Sequence, residues 1–299
     1  MLGQRFFAAV MMIASLAAAM AFDFYLLKDG ILLHAFFLLM AFLSFREFWP
    51  LCRATGHQTF SVWGTLSGCG LVAVHYWAMR LSVESGSREA HQLASDLLTG
   101  GLAVAVLGAF LLTAKRHEFK ASLGGVAVTC LGLLYIYFLP SFLLRLRYVG
   151  VDGLVGGKDW NLYGNWMVVS TIVLAKGCDV WAYLVGRALG RHKAFPELSP
   201  GKTIEGVAAG LIGSVLTALL LWWKPIGILS FLSPWKVCVL GLIIGVAGIM
   251  GDLAESLLKR SAGAKDAGNV VPGYGGAMDV VDSLMVAGPV AYFVFPAMM

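Results

Sequence analysis

Asp252, Glu255, Ser256 and Lys259 sit close together inside an otherwise apolar stretch, and Asp279 and Asp282 open the next one. On a helix Asp252, Ser256 and Lys259 fall at i, i+4 and i+7 and share a face, while Glu255 reaches Lys259 at i+4. Asp279 and Asp282, at i and i+3, can point to one ion. Carboxylates at this density call for counter-cations, and a hard cation such as magnesium prefers their oxygens and commonly accompanies phosphate. Asp266 lies in the loop between the two stretches. Further upstream Lys176 and Asp179 occupy another apolar run, with Asp179, Tyr183 and Gly186 in one row along a helix. An ionised group near mid-bilayer costs at least about 2.5–3.5 kcal/mol, so these charges are expected to share a polar cavity. The competing reading is that each is a structural ion pair or a snorkelling helix-end residue, as Lys259 and Arg260 are on position alone.

Two polar loops flank these runs. The first carries Arg187, Arg191, His192 and Lys193, then Ser-Pro-Gly-Lys-Thr-Ile-Glu-Gly at 199–206. With Ser199 or Thr203 as the cap of a following helix, free N–H groups and the positive helix end would face the site, and Lys202 would add a full charge. That combination binds phosphate. The Gly201-Lys202-Thr203 ending is not a P-loop, because Pro196 stands where the first glycine is required and no strand is expected ahead of it. The second loop runs from Lys259 and Arg260 through Lys265, Asp266 and Gly268 to Gly273, Tyr274, Gly275, Gly276 and Asp279. Its glycines permit positive φ and close backbone approach to a ligand.

The elements that must position these residues are membrane helices. Of 299 residues 59% are hydrophobic and only 13% charged, and mean hydropathy is +0.80, which excludes soluble, disordered and fibrous classes. Net charge is +5, too modest and dispersed for nucleic acid, but suited to anionic lipid or phosphate. The five cysteines are scattered without a C-x-x-C pair and predict neither disulfides nor zinc. Apolar windows predict an all-α polytopic membrane protein of about nine transmembrane helices: Phe6 to Leu27, Ile31 to Phe45, Phe60 to Met79, Leu97 to Ala114, Ala121 to Leu144, Asn165 to Gly186, Val207 to Trp223, Val237 to Leu258 and Val280 to Met298. Residues 1–114 form the N-terminal helices and 115–299 the C-terminal catalytic region of one continuous membrane domain. The first helix also reads as a signal peptide, with Arg5 ahead and Ala19-Met20-Ala21 as a cleavage site.

Basic residues are richer on the side of an inward N-terminus, in the loops holding Arg46, Lys115, Arg187, Lys202, Lys259 and Lys265, so both polar loops face the cytoplasm. His34, His57, His75, His117 and His192 are isolated and read as structural.

The stretch from Ser256 to Ser283 resembles the signature of the phosphatidate cytidylyltransferase (CDP-diacylglycerol synthase) family, as do the 199–206 stretch and the Asp179, Ala182, Tyr183, Gly186, Arg187 pattern. The resemblance covers roughly Lys115 to Ser283. It implies transfer of CMP from CTP to phosphatidic acid, with pyrophosphate released and magnesium required, a second cation being left open. On that footing Asp252, Lys259, Lys265, Asp266, Asp279 and Asp282 are the expected catalytic residues. Asp179, Ser199, Lys202, Thr203, Glu205, Ser256, Arg260, Gly275 and Gly276 are expected to bind the nucleotide and its ion, with Asp252, Asp279 and Asp282 as metal ligands. Tyr274 stands where the family usually has His, Val280 where it has Arg, and Gly201 replaces a common Lys; the metal ligands remain. CTP, phosphatidic acid and the bilayer are the implied partners, without nucleic acid and with a homodimer left open; the compactness of the chain favours a bacterial inner membrane as the setting.

Two other functions fit parts of the pattern. A CTP-dependent polyprenol or phytol kinase would handle nucleotide and lipid at the same face, but its alcohol acceptor needs a base. A transporter would use Lys176, Asp179 and Asp252 as relays and predicts broken helices and paired repeats.

Overall fold

The computed structural model describes residues 30–85, 88–116, 119–149, 160–268 and 275–299. The helix expected over Phe6 to Leu27, with its signal-peptide alternative, lies outside them, as does Tyr274. The helices are α1 (Ile31–Ala54), α2 (Ser61–Ser85), α3 (Arg88–Arg116), α4 (Phe119–Gly132), α5 (Leu139–Leu146), α6 (Trp160–Leu189), α7 (Ile204–Trp222), α8 (Pro234–Ser261) and α9 (Ala277–Met298). A π-helical turn, Leu133–Phe138, carries α4 directly into α5. Among the described residues seven spans are long and apolar enough to cross a membrane, α4 and α5 counting as one. The fold is that of an all-α polytopic membrane protein. Helix α2 is 25 residues long, but Ser61, Thr65, Ser67 and His75 dilute its apolar run.

Two elements differ from the sequence expectation. Helix α1 continues to Ala54 instead of stopping near Phe45, because Phe48, Trp49, Leu51 and Cys52 stay buried and outweigh the apparent stop signal of Arg46, Glu47 and Pro50. The first polar loop contains a small antiparallel sheet of β1 (Lys193–Phe195) and β2 (Ser199–Thr203), paired Lys193 with Thr203 and Phe195 with Ser199. A strand therefore does precede α7. Strands this short carry no periodic signal, and the chain turns through Pro196, Glu197 and Leu198 between them.

The contacts divide the chain into two compact units: Met1–Ser141 with Val151–Gly153 and Ser261–Val280, and Phe142–Gly150 with Leu154–Arg260 and Val281–Met299. In the first unit large rings lie on glycines. The α1 ring of Phe45 covers Gly68 and that of Trp49 covers Gly64, on α2, and the α2 ring of Trp63 covers Gly108 on α3. The indoles also find acceptors, Trp49 Nε1 at 2.8 Å from Thr65 Oγ1 and Trp63 Nε1 at 2.8 Å from the Ala105 carbonyl. Buried indoles need such partners, and the contact fixes the register of each helix pair.

In the second unit small residues bring helices together, as expected where lipid offers no hydrophobic drive to associate. A Cβ built on Gly186 of α6 would lie 3.2 Å from the Gly206 Cα of α7. Ser214 Oγ donates to the Gly241 carbonyl at 2.7 Å, tying α7 to α8. On α8 a Cβ at Gly251 would lie 2.9 Å from the Cα of Ser283 on α9. That last approach places Asp252 beside Asp282.

Candidate active site

Within the second unit three helices and β2 deliver acids and bases to one place. Lys176, on α6 and only 4% exposed, puts Nζ 3.0 Å from Asp282 Oδ1 and 3.7 Å from Asp179 Oδ2. Asp282 Oδ1 also accepts the Ser283 backbone N–H at 2.6 Å. From β2, Lys202 Nζ reaches Asp252 Oδ2 at 2.7 Å. Lys259 holds Glu255 Oε2 at 2.8 Å, the i, i+4 pair expected on α8. Asp252, Glu255 and Asp282 each present an oxygen within 4.8 Å of the others. Among the described residues, Asp179, Asp252, Glu255 and Asp282 thus lie among Lys176, Lys202 and Lys259. Oxygen-only donors at this spacing suit a hard divalent ion.

Thr203 is the cap of α7: its backbone is extended and its Oγ1 accepts the Gly206 N–H at 3.1 Å. Ser199 pairs in β2 instead. Glu205 accepts the backbone N–H groups of Arg191 at 3.1 Å and His192 at 3.3 Å, and its Oε1 lies 2.7 Å from His192 Nδ1, so it closes the first loop on itself. Arg260 donates to the Leu198 carbonyl at 3.2 Å, fastening the end of α8 to the β-turn. Ser256 is buried on the Asp252 face of α8.

The first unit holds the other residues singled out from sequence. Lys265 and Asp266 are exposed. Asp279 Oδ2 accepts the backbone N–H of Gly276 at 2.7 Å and of Ala267 at 3.3 Å. Gly275 has φ +125°, and a Cβ there would lie 2.8 Å from Asp279 Oδ2, so glycine is required on both counts. Glu47, which sequence reading passed over, is buried on α1 and accepts the backbone N–H groups of Ala277 at 2.8 Å and Met278 at 2.9 Å. A lone acid inside an apolar helix was the available signal. Glu255, read only as the partner of Lys259, also belongs to the three-carboxylate group.

Residues 4–298 match the cytidylyltransferase family. The chain belongs to that family. Among its relatives in the family it is 36% identical over 192 residues to a phosphatidate cytidylyltransferase of Synechocystis sp., covering 58% of this chain and 63% of that protein. It is 29% identical over 267 residues to a phosphatidate cytidylyltransferase of Staphylococcus saprophyticus, covering 88% and 90%. To the uncharacterized protein YnbB of Escherichia coli it is 32% identical over 197 residues, covering 66% and 58%. The chain thus spans under two thirds of the length of the Synechocystis and Escherichia coli proteins. The family resemblance carried by the 199–206 and 256–283 stretches is borne out.

Proposed function

We propose that this chain transfers CMP from CTP to phosphatidic acid, giving CDP-diacylglycerol and pyrophosphate at the cytoplasmic face of a bacterial inner membrane. The observation that carries the reading is the group of Asp252, Glu255 and Asp282 among Lys176, Lys202 and Lys259, in a chain of the cytidylyltransferase family. In the reaction an oxygen of the lipid phosphate attacks the α-phosphorus of CTP, and the bond to the β-phosphate oxygen breaks. The second pKa of a phosphate monoester is near 6, so the nucleophile is already largely deprotonated and no strong base is required. The barrier is mainly repulsion between two anions, which positioned cations reduce.

Asp252 and Asp282 are the proposed holders of a magnesium ion, with Glu255 beside them. Asp279 joins them on its i, i+3 spacing along α9. Bound there, the ion would neutralise phosphoryl oxygens and the departing pyrophosphate. Lys202, at the start of α7, is placed to orient the triphosphate next to the free N–H groups of that helix. Lys259 and Arg260, at the end of α8, and Lys265, in the second loop, are proposed to supply further positive charge; Lys176 holds Asp282 in place through their 3.0 Å contact.

The test is incorporation of label by the purified protein in nanodiscs with phosphatidic acid and magnesium. Label from α-labelled CTP is expected in the lipid and label from γ-labelled CTP is not. The reverse pattern would assign a lipid kinase, and neither would remove the nucleotide reaction altogether.

A further inference from the structure

The start of α9 is capped from the far end of the sequence. The first N–H groups of any helix lack partners within it and are normally met by the side chain just before it. Here that residue is Gly276, which has none. Glu47 takes its place: Oε1 accepts from Ala277 and Oε2 from Met278, 230 and 231 residues away. The loop is shaped around this carboxylate. A Cβ at Gly268 would lie 2.6 Å from Glu47 Oε1, and one at Gly276 would collide with Oε2. The same Gly276 gives its N–H to Asp279. One glycine is therefore held between the two acids, with its Cα against Glu47 and its nitrogen on Asp279.

We infer that Glu47 is a positioning residue for Asp279: by clamping the first turn of α9 it sets the direction of the Asp279 carboxylate. The inference rests on the proposed reading in which Asp279 holds the divalent ion. A carboxylate suits the task because it accepts at both oxygens and carries negative charge at the positive end of a helix. Glutamine of the same size offers one acceptor and turns an N–H donor toward the other amide, so the turn must shift. Displacements of about 1 Å around a reacting centre cost up to about 100-fold in rate.

The experiment compares full-length wild type with Glu47→Gln in nanodiscs. It measures CTP turnover, Mn²⁺ affinity by electron paramagnetic resonance without substrates, and thermal unfolding. For Glu47→Gln kcat is expected to fall roughly 10- to 100-fold and Mn²⁺ to bind roughly 10-fold more weakly, with insertion retained and KM for CTP changed little. Wild-type kcat and Mn²⁺ affinity would overturn the inference. So would lowered stability with both of those unchanged, because the acid would then be an ordinary cap. If Glu47→Gln fails to insert, Gly268→Ala decides: it keeps the acid but crowds Oε1, and the same losses are expected, with wild-type values overturning the inference. A wild-type protein that makes no liponucleotide would defeat the functional reading alone, since the Mn²⁺ comparison still tests whether Glu47 acts on Asp279.

Discussion

Lys176 and Lys202 both neutralise a proposed metal ligand, yet they sit in different surroundings and should behave differently when removed. Lys176 and Asp282 are buried, so Lys176→Met strands a carboxylate and is expected to cost about 3–5 kcal/mol, read by thermal unfolding in detergent. The Lys202–Asp252 pair is partly exposed, and Lys202→Ala should change stability by less than about 1 kcal/mol while raising KM for CTP. Asp252→Ala is expected to abolish label incorporation with membrane insertion intact; retained turnover would contradict the assignment. At this scale the helical spacing of Asp252, Ser256 and Lys259 was legible, because i, i+4 and i+7 are geometry a sequence carries. The pairing of Lys202 with Asp252, and of Glu47 with Ala277 and Met278, was not, because no local rule brings β2 or α1 to those partners.

Helices α6 and α7 meet where Gly186, Thr203 and Gly206 leave almost no room. A methyl at Gly186 would lie 2.9 Å from Thr203 Oγ1 and 3.2 Å from Gly206 Cα. Gly186→Ala should therefore part the helices, disturb the α7 cap and destabilise the protein by about 1–3 kcal/mol, seen as a lowered unfolding temperature. Thr203→Ala, which removes the cap alone, should cost about 1 kcal/mol. The bodies of the helices were readable from hydropathy, since lipid demands apolar runs of fixed length. Their ends were less so. Burial of Trp49 and Leu51 carries α1 past a proline and two charges, and the strands beside α7 are too short to leave a pattern.

For the whole molecule, the excess of basic over acidic residues suits anionic lipid and the approach of an anionic nucleotide. Asp252, Glu255 and Asp282 each hold an ammonium partner in the structure, so the helices do not depend on a divalent ion to stay together. Chelation with EDTA is expected to abolish CMP transfer while leaving helix content and unfolding temperature nearly unchanged, and added magnesium should restore turnover. Circular dichroism and label incorporation on the same sample check both halves. Composition alone made the membrane class legible, whereas the division into two units was not, because it follows from long-range contacts.

The pair formed by Lys176 and Asp179 bears on how such a protein is made. Asp282 is synthesised 106 residues after Lys176, so α6 leaves the ribosome well before its tighter partner exists. With an acid three positions along the same helix, Lys176 already has a mate within the nascent segment. The segment can then partition into lipid without carrying an uncompensated charge, and the last helix adds Asp282 as a second, closer partner.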